Sequence, residues 1–168
     1  MIKKKLKVFV AMSGGVDSSV AAALLKRDGL AVPGHPEQRR RVGVVGAYMK
    51  CWTEGAACTS QDDERSARLA AAHLGIPFYT WNFIKEYRKK VVEYMLEGYK
   101  EGITPNPDIM CNKEIKFGLF FEKAMKLGAD YIATGHYARL RNTKEGTNIR
   151  KIEMAKDKNK DQSYFLSF

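Results

Sequence analysis

The chain has 168 residues and a mass of 19.0 kDa, the size of one ordinary domain. A composition of 45% hydrophobic and 29% charged residues excludes a disordered chain, and no apolar run approaches the roughly 20 residues that span a bilayer. The net charge of +10 fits a polyanionic partner such as nucleic acid as well as it fits a solvated basic surface.

Strands and helices alternate along the chain. Residues 8–12 form a compact apolar run and predict a buried strand, and apolar residues then recur at helical spacing from Val16 to Leu24. A β-branched strand is predicted over 42–49, a helix around Ala67 and an aromatic strand over 78–83. A long helix from Ile84, a second helix around Phe117 and a strand over 131–134 complete the series.

This alternation predicts an α/β fold with a doubly wound, mostly parallel sheet that is covered on both faces. Ligands of such sheets bind beyond the carboxyl ends of the strands. The two glycine-bearing turns, which follow Met12 and Thr134, are expected at that edge.

Two segments interrupt the alternation. Residues 31–41 hold two prolines and three consecutive arginines, and we expect an irregular insertion, a surface loop rather than a binding arm. Residues 139–160 hold eight Lys and Arg against three Asp and Glu, and we expect a basic hairpin or loop that contacts a polyanion.

The first candidate site is the turn over residues 13–19, Ser-Gly-Gly-Val-Asp-Ser-Ser. A strand that leads through two glycines into a helix presents free backbone N–H groups and the positive end of the helix dipole to an anion. Asp17 adds a carboxylate, which fits beside phosphates if Mg²⁺ lies between them. A tight structural turn would explain Gly14 and Gly15 but not the whole string.

The string from Ser13 to Ser18 resembles the PP-loop of the ATP pyrophosphatases. The resemblance implies a HUP-type nucleotide-binding domain that uses ATP to adenylate a substrate and releases pyrophosphate. It identifies the chemistry better than it identifies the substrate.

The second candidate site is the segment over residues 104–117, which contains Cys111. The helical periodicity begins near Ile115, so Cys111 is expected at or just before the amino end of that helix. The helix end, together with Lys113 and Lys116, is expected to lower the pKa of the thiol and favour a nucleophilic thiolate. An inert buried cysteine is the alternative.

This segment closely resembles the tRNA-specific 2-thiouridylases of the MnmA/TrmU family. Met49-Lys50, Asn82-Phe83 and the stretches 135–139 and 160–166 resemble the same family in the same order. The resemblance implies ATP-dependent adenylation of the 2-oxo group of the tRNA wobble uridine, followed by transfer of a persulfide sulfur. The partners it implies are the anticodon loop of tRNA and a persulfide sulfur-donor protein, without a membrane.

The resemblance also implies roles for individual residues. Cys111 would be the catalytic nucleophile. The ATP site would comprise Ala11, Met12, Ser13, Gly14, Gly15, Val16, Asp17, Ser18, Met49 and Gly135. Asn106, Pro107 and Asp108 would contact the target base, and Lys160, Asp161 and Gln162 would contact the tRNA.

The chain departs from the family in two respects. The second catalytic cysteine of the family lies beyond the region matched by Gln162, and this chain has none there. The central and C-terminal tRNA-binding domains are also missing. We therefore expect residues 1–168 to be one PP-loop catalytic domain, an N-terminal fragment that binds nucleotide but does not thiolate tRNA alone.

Two other functions remain open: a PP-loop ligase or amidotransferase that acts on a small metabolite, and a non-catalytic module that binds nucleotide or RNA. A metabolite ligase would not need Cys111, and a passive binder would not need Asp17 for pyrophosphate exchange.

The three cysteines are too few for a disulfide framework and suggest a reducing compartment. With no signal peptide apparent at the amino end, we expect a cytoplasmic protein, and an organelle is not excluded. Cys51 and Cys58 are too widely spaced to indicate a zinc site, and an iron–sulfur cluster that joins either to Cys111 stays a minor alternative. His136 is expected to pack or to form hydrogen bonds.

Overall fold

The fold of the chain is taken from a computed structural model, which describes residues 5–32, 35–53, 59–142 and 150–166. It is an α/β fold, as the alternation of strands and helices predicts. None of the helices within these ranges is long and apolar enough to cross a membrane.

Eight strands and six α-helices form the described part of the chain. The strands are β1 (Leu6–Ala11), β2 (Leu30–Val32), β3 (His35–Arg40), β4 (Val42–Lys50), β5 (Phe78–Asn82), β6 (Tyr131–Ala133), β7 (Arg139–Asn142) and β8 (Arg150–Glu153). The helices are α1 (Val16–Asp28), α2 (Ser60–His73), α3 (Ile84–Tyr87), α4 (Glu93–Lys100), α5 (Pro107–Met110) and α6 (Phe121–Lys126). Two π-helical segments, Arg88–Val92 and Cys111–Phe120, join α3 to α4 and α5 to α6.

The central sheet has the strand order β5-β4-β1-β6, and all of its pairs are parallel. From β1 the chain builds outward through β4 and β5, and then it returns to the other side of β1 with β6. The direction of building therefore reverses at β1, and the carboxyl end of that strand is where an open α/β sheet binds its ligands.

Residues of β1 alternate between two hydrophobic cores, because successive side chains of a strand point to opposite faces. Val8 and Val10 face the cluster formed with α1 and α2, which includes Ala22, Ala67 and Ala71. Phe9 faces the second cluster, whose other large members are Trp81, Ile115 and Phe120. Both faces of the sheet are therefore covered, as a doubly wound fold requires.

The four predicted strands of the main sheet are confirmed, with ends that move by at most two residues. The expectation of an irregular loop over 31–41 is wrong, because β2 and β3 pair as an antiparallel ribbon. The register of this ribbon shifts between Ala31 and Val32. In the basic segment, β7 and β8 pair as the hairpin form of the two expected possibilities.

Candidate functional site

A cavity of about 230 Å³ opens at the carboxyl edge of the sheet. It brings together the turn after β1, the end of β4, the turn after β6 and one helix of the second core face. Its lining residues are Ala11, Ser13, Asp17, Ser18, Met49, Lys116, Thr134, Gly135, His136 and Gln162. Seven of these are among the site residues expected from the sequence.

A cavity of about 340 Å³ lies at the end of β4, where Met49 and Cys51 are among its lining residues. Two still larger cavities also do not include the glycine turn. One of about 420 Å³ lies against the β7–β8 hairpin and shares His136 with the first cavity. The other, of about 590 Å³, lies near the beginnings of β1 and β4, away from the carboxyl edge. The smallest of these four cavities is the candidate site, because both glycine-bearing turns contribute to it.

The turn after β1 has the geometry of an anion cradle. Gly14 has a φ of +87°, and a side chain there would collide with the backbone carbonyl of Asp63. No side chain caps the first turn of α1, whose N-cap is Gly15. The Ser18 hydroxyl accepts a hydrogen bond from the backbone N–H of Ser13 at 3.1 Å and fixes the turn. The backbone donors at the start of α1 are therefore available to a phosphate.

Gly135 brings the turn after β6 onto the same helix end. A Cβ at this position would lie 2.7 Å from the backbone nitrogen of Ser18, closer than real side chains approach. Only glycine allows the two turns to approach this closely. The cavity therefore depends on Gly135 for its width.

Tyr137 links three parts of the site. Its hydroxyl donates a hydrogen bond of 2.5 Å to Oδ1 of Asp17, and its backbone N–H donates one of 2.9 Å to Oε1 of Gln162. The phosphate turn, the turn after β6 and the carboxyl-terminal segment are thus connected through one residue. Sequence reasoning did not single out Tyr137 for a contact of its own.

Lys116 and His136 form a chain of hydrogen bonds at the cavity wall. An ammonium group only donates, so Nζ of Lys116 donates to Nε2 of His136 at 3.3 Å. The other ring nitrogen, Nδ1, then carries the proton and donates to Oγ1 of Thr134 at 2.9 Å. Burial and the nearby Lys116 charge lower the pKa of His136 to about 4, which keeps the ring neutral at physiological pH.

Cys111 lies beside this cavity but does not line it. Its helix begins at Pro107, so the cysteine is one turn inside the helix rather than at or before its amino end. The expected lowering of its pKa is wrong. Burial raises the pKa of Cys111, the Lys116 charge partly opposes this, and Asp108 adds to the rise. Polar neighbours in the sequence gave a misleading picture of its exposure, because Cys111 packs against the second core cluster.

The two lysines expected beside Cys111 have different positions. Lys116 lines the cavity and favours the thiolate, whereas Lys113 is exposed and has no resolved influence on Cys111. Cys51, which follows β4, is also a half-buried free thiol. Burial, and then the proximity of Cys111, raise the pKa of Cys51 to about 12.

The described ranges contain no group of three or more His, Cys, Asp or Glu that could hold a metal ion. Cys58 lies outside those ranges, so the minor iron–sulfur alternative is not tested there. Any ion at the site would need ligands from its substrate, and Asp17 is the carboxylate at the cavity wall.

The segment expected to contact the tRNA adjoins the cavity, whereas Asn106, Pro107 and Asp108, which are expected to contact the target base, do not line it. The Asn106 side chain caps α5 by accepting hydrogen bonds from the N–H groups of Asp108 and Ile109 at 3.0 and 3.2 Å. Lys160 lines the neighbouring cavity of about 420 Å³, and Gln162 lines the first one. Asp161 accepts a hydrogen bond of 2.9 Å from the N–H of Ser163, which orders this segment.

The remaining expected site residues do not line the cavity. Met12 is buried in the first core, and Val16 is 76% exposed at the start of α1. Gly14 and Gly15 shape the turn. Lys116, Thr134 and His136 are lining residues that the sequence-based set omitted, although Thr134 and His136 flank a glycine that it included.

Residues 6–168 match the family model described as the tRNA methyl transferase HUP domain. The chain belongs to this family. This HUP-domain chain is 50% identical over 164 residues to a protein named tRNA-specific 2-thiouridylase MnmA from Lactiplantibacillus plantarum, with 96% of the chain and 40% of the relative covered. A protein of the same name from Staphylococcus saprophyticus is 48% identical, with 99% and 42% covered.

The HUP-domain chain thus spans about 40% of the length of these curated relatives. Among solved structures, the U34-tRNA thiolase NcsA from Methanococcus maripaludis, determined with its [4Fe-4S] cluster, aligns with a TM-score of 0.52 at 22% identity. The alignment covers 80% of this chain and 40% of that one. The likeness shows a shared fold.

Proposed function

We propose that the chain is the nucleotide-binding catalytic domain of a cytoplasmic enzyme that replaces the 2-oxo group of a tRNA wobble uridine with sulfur. The observation that carries this proposal is the cavity in which the PP-loop turn, Met49 and Gly135 meet Lys116, a residue of the π-helical segment that begins with Cys111. The family model is named for methyl transfer, but a phosphate cradle next to a cysteine fits base activation followed by sulfur transfer better.

The phosphate cradle supports ATP as the co-substrate. The uncapped start of α1 offers backbone N–H groups to the phosphates, and the buried Ser18 holds the turn in place. Met49 and Gly135 would border the adenosine. Adenylation would turn the oxygen of the base into part of a good leaving group, AMP.

Asp17 supports a role for Mg²⁺. This ion keeps several waters and binds proteins through one or two carboxylates together with substrate phosphates. A single carboxylate at the wall of a phosphate cavity, positioned by Tyr137, matches that donor set. Asp17 would hold the ion, and the ion would reduce the repulsion between Asp17 and the phosphates.

Cys111 would be the catalytic nucleophile. The outer sulfur of a persulfide would bond to C2 of the adenylated base and displace AMP. The Cys111 thiolate would then attack the inner sulfur of the persulfide, which forms a disulfide and leaves 2-thiouridine. The base would lie against Asn106, Pro107 and Asp108, on the helix that also carries the cysteine. Lys116 is the nearby cation that favours the thiolate against the effect of burial. A persulfide-bearing donor protein would supply the sulfur.

The carboxyl-terminal segment would bind the tRNA. Lys160, Asp161 and Gln162 lie in or beside the two adjoining cavities, and the basic β7–β8 hairpin borders the larger of them. An anticodon loop is already unpaired, so moving its base into a pocket costs little free energy.

Two experiments test the proposal. In the first, calorimetry should show that the purified chain binds Mg²⁺–ATP, with affinity reduced at least tenfold by Asp17→Asn. In the second, the chain replaces the matching part of the Lactiplantibacillus plantarum relative in cells that lack 2-thiouridine. Mass spectrometry of the tRNA should detect 2-thiouridine with the native sequence and none with Cys111→Ser.

The same experiments discriminate the alternatives. A ligase that acts on a small metabolite would bind ATP but would not restore 2-thiouridine. A passive binding module would also bind nucleotide without restoring 2-thiouridine. An added assay of ATP–pyrophosphate exchange separates it from the ligase, because a passive binder catalyses no exchange. Absence of ATP binding by the native sequence would contradict the proposal at its first step.

A further inference from the structure

We infer that Lys116 couples phosphate occupancy of the nucleotide cavity to the reactivity of Cys111, and that His136 is the positioning residue that aims Lys116. This inference rests on the proposed function in one respect, the binding of a polyphosphate in the cavity. It adds an order of events to that function: the cysteine becomes most reactive after pyrophosphate leaves.

Lys116 lies between the two places. It lines the cavity formed by the phosphate turn, and it lies about one turn after Cys111 in the same π-helical segment. Its charge accordingly acts on Cys111 and on Cys51. Among the described residues that line this cavity, it is the one Lys or Arg. A phosphate in the cavity and a thiolate at Cys111 therefore compete for the same positive charge.

His136 fixes the direction of the lysine. Its ring lies between the rings of Phe117 and Phe165, each 5.8 Å away between centroids. The bond to Thr134 sets the tautomer, so Nε2 is left as the acceptor for the ammonium group. Because the imidazole is neutral, it does not neutralise Lys116. The ammonium group therefore keeps its full positive charge for an interaction with an anion.

The other groups around Cys111 cannot perform this function. Asp108 carries a negative charge and disfavours the thiolate. Tyr87 and Cys51 have pKa values of about 12, so both are neutral at physiological pH. Lys116 is thus the one group with a favourable influence on the thiolate among those that the structure resolves.

Competition for one cation orders the two chemical steps. While a triphosphate occupies the cavity, its negative charge offsets Lys116, and Cys111 stays protonated. Once pyrophosphate has left, one phosphoryl group remains and more of the positive charge acts on the sulfur. The nucleophile is thereby held back until the base has been activated.

The test measures the alkylation rate of Cys111 by iodoacetamide at pH 8, with the Cys111 peptide quantified by mass spectrometry. Lys116→Gln should slow the reaction severalfold, because loss of the positive charge raises the pKa of Cys111 and so lowers its thiolate fraction. The matched control Lys113→Gln removes a positive charge three residues before Lys116 and should leave the alkylation rate of Cys111 unchanged. Lys116→Arg should keep most of the rate and shows that the fold tolerates substitution.

Nucleotides provide the second part of the test. A non-hydrolysable ATP analogue should slow alkylation of the native chain severalfold, AMP should slow it less, and Lys116→Gln should respond to neither. His136→Gln retains an acceptor and should keep the nucleotide effect, whereas His136→Phe should lose it. Equal slowing of the native chain and Lys116→Gln by the analogue would show steric shielding and overturn the inference.

Calorimetry separates this failure from a failure of the proposed function. If the native chain does not bind the analogue, both the proposed function and the coupling are contradicted. If it binds while Lys116→Gln is alkylated at the native rate, the proposed function stands and the coupling is wrong.

Discussion

At the scale of single residues, the site depends on close approaches that a side chain would block. Gly135 lets one backbone turn pack on the first turn of α1, and Gly14 adopts a positive φ at the end of β1. These two glycines, more than any polar group, determine where the phosphate donors can lie. A phosphate cradle made of backbone tolerates little change in its shape.

Gly135→Ala tests the width of the cavity. The added methyl group would lie 2.7 Å from the nitrogen of Ser18, so the two turns must separate. We expect affinity for ATP to fall at least tenfold and the free energy of unfolding to fall by about 1–3 kcal/mol. Calorimetry and chemical denaturation provide the measurements. Gly43→Ala is the control, since its Cβ would meet nothing closer than 3.7 Å.

His136 gives the fold a specific dependence on pH. Its pKa is about 4 in the folded chain and 6.5 ordinarily, because burial and then the Lys116 charge disfavour the imidazolium. Between these pH values the unfolded chain binds a proton that the folded chain does not. The free energy of unfolding should therefore fall as the pH drops from 6.5 towards 4.

His136→Gln removes this contribution. Chemical denaturation of the native chain and of the variant at several pH values gives the difference between their free energies of unfolding. This difference should change by about 1–2 kcal/mol between pH 6.5 and 4. Acidic residues with lowered pKa values, such as Asp161, lose their own contribution in both proteins and cancel in the difference. An unchanged difference between pH 6.5 and 4 would show that the ring is protonated in the folded chain.

The sequence predicted some site residues well for a physical reason. The phosphate turn is formed by residues that are close in the sequence, since a strand, two glycines and the start of a helix follow one another within eleven residues. A local sequence pattern is therefore sufficient to predict that the turn binds phosphate. The contact of Lys116 with His136 joins residues that are 20 positions apart, and no local sequence pattern predicts it. The ionisation of Cys111 depends on packing by distant residues, which its polar neighbours in the sequence do not reveal.

At the scale of elements, two helices carry π-helical segments that the sequence did not predict. The segment Cys111–Phe120 holds Cys111, Asn112 and Lys116, and Arg88–Val92 lies in the long helix before it. The apolar residues that indicated these helices recur at spacings of three and four, which are typical of an α-helix, so the periodicity predicted helices but not their π-helical hydrogen bonds. The buried strands were predictable because unbroken apolar runs need two covered faces.

Asn112 fastens the carboxyl-terminal segment to this helix. It is 2% exposed, and its Nδ2 donates to the carbonyl of Phe165 at 3.2 Å. Its Oδ1 has no hydrogen-bond partner among the described residues. Asn112→Ala should lower the free energy of unfolding by about 1–2 kcal/mol.

Amide hydrogen exchange at Ser163–Phe165 is the diagnostic measurement for Asn112→Ala, because it reports opening of the fastened segment. Amide exchange should accelerate more at Ser163–Phe165 than in β1. The exposed Asn159→Ala serves as a control and should leave the exchange unchanged. Uniform acceleration along the chain would show a general loss of stability instead.

At the scale of the whole molecule, half of the net charge of +10 comes from residues 139–160, with eight basic and three acidic residues. Their hairpin borders the cavity that holds Lys160. Of the described basic residues, Arg139, Lys156 and Lys160 line this cavity, which adjoins the nucleotide cavity at their shared residue His136. A polyanion drawn to the hairpin would arrive beside Cys111.

Arg141→Gln together with Lys151→Gln tests this arrangement. Each phosphate contact contributes about 0.7–0.9 to the slope of log affinity against log salt, so losing two should reduce the slope by about two at most. Fluorescence anisotropy with an anticodon stem-loop between low and physiological salt measures it. Lys85→Gln with Lys89→Gln changes the net charge equally on the long helix, and an equal effect there would assign the binding to overall charge.

Tyr137 connects the phosphate turn with the segment proposed to bind the tRNA. Its hydroxyl donates a hydrogen bond to Asp17, and its backbone N–H donates one to Gln162. A ligand that immobilises either neighbour also restrains the tyrosine, and the second ligand then sacrifices less conformational entropy on arrival. If the chain binds nucleotide and RNA as proposed, thermodynamic reciprocity requires that each ligand strengthens the binding of the other by the same factor. An enzyme with this linkage would consume little ATP in the absence of its RNA.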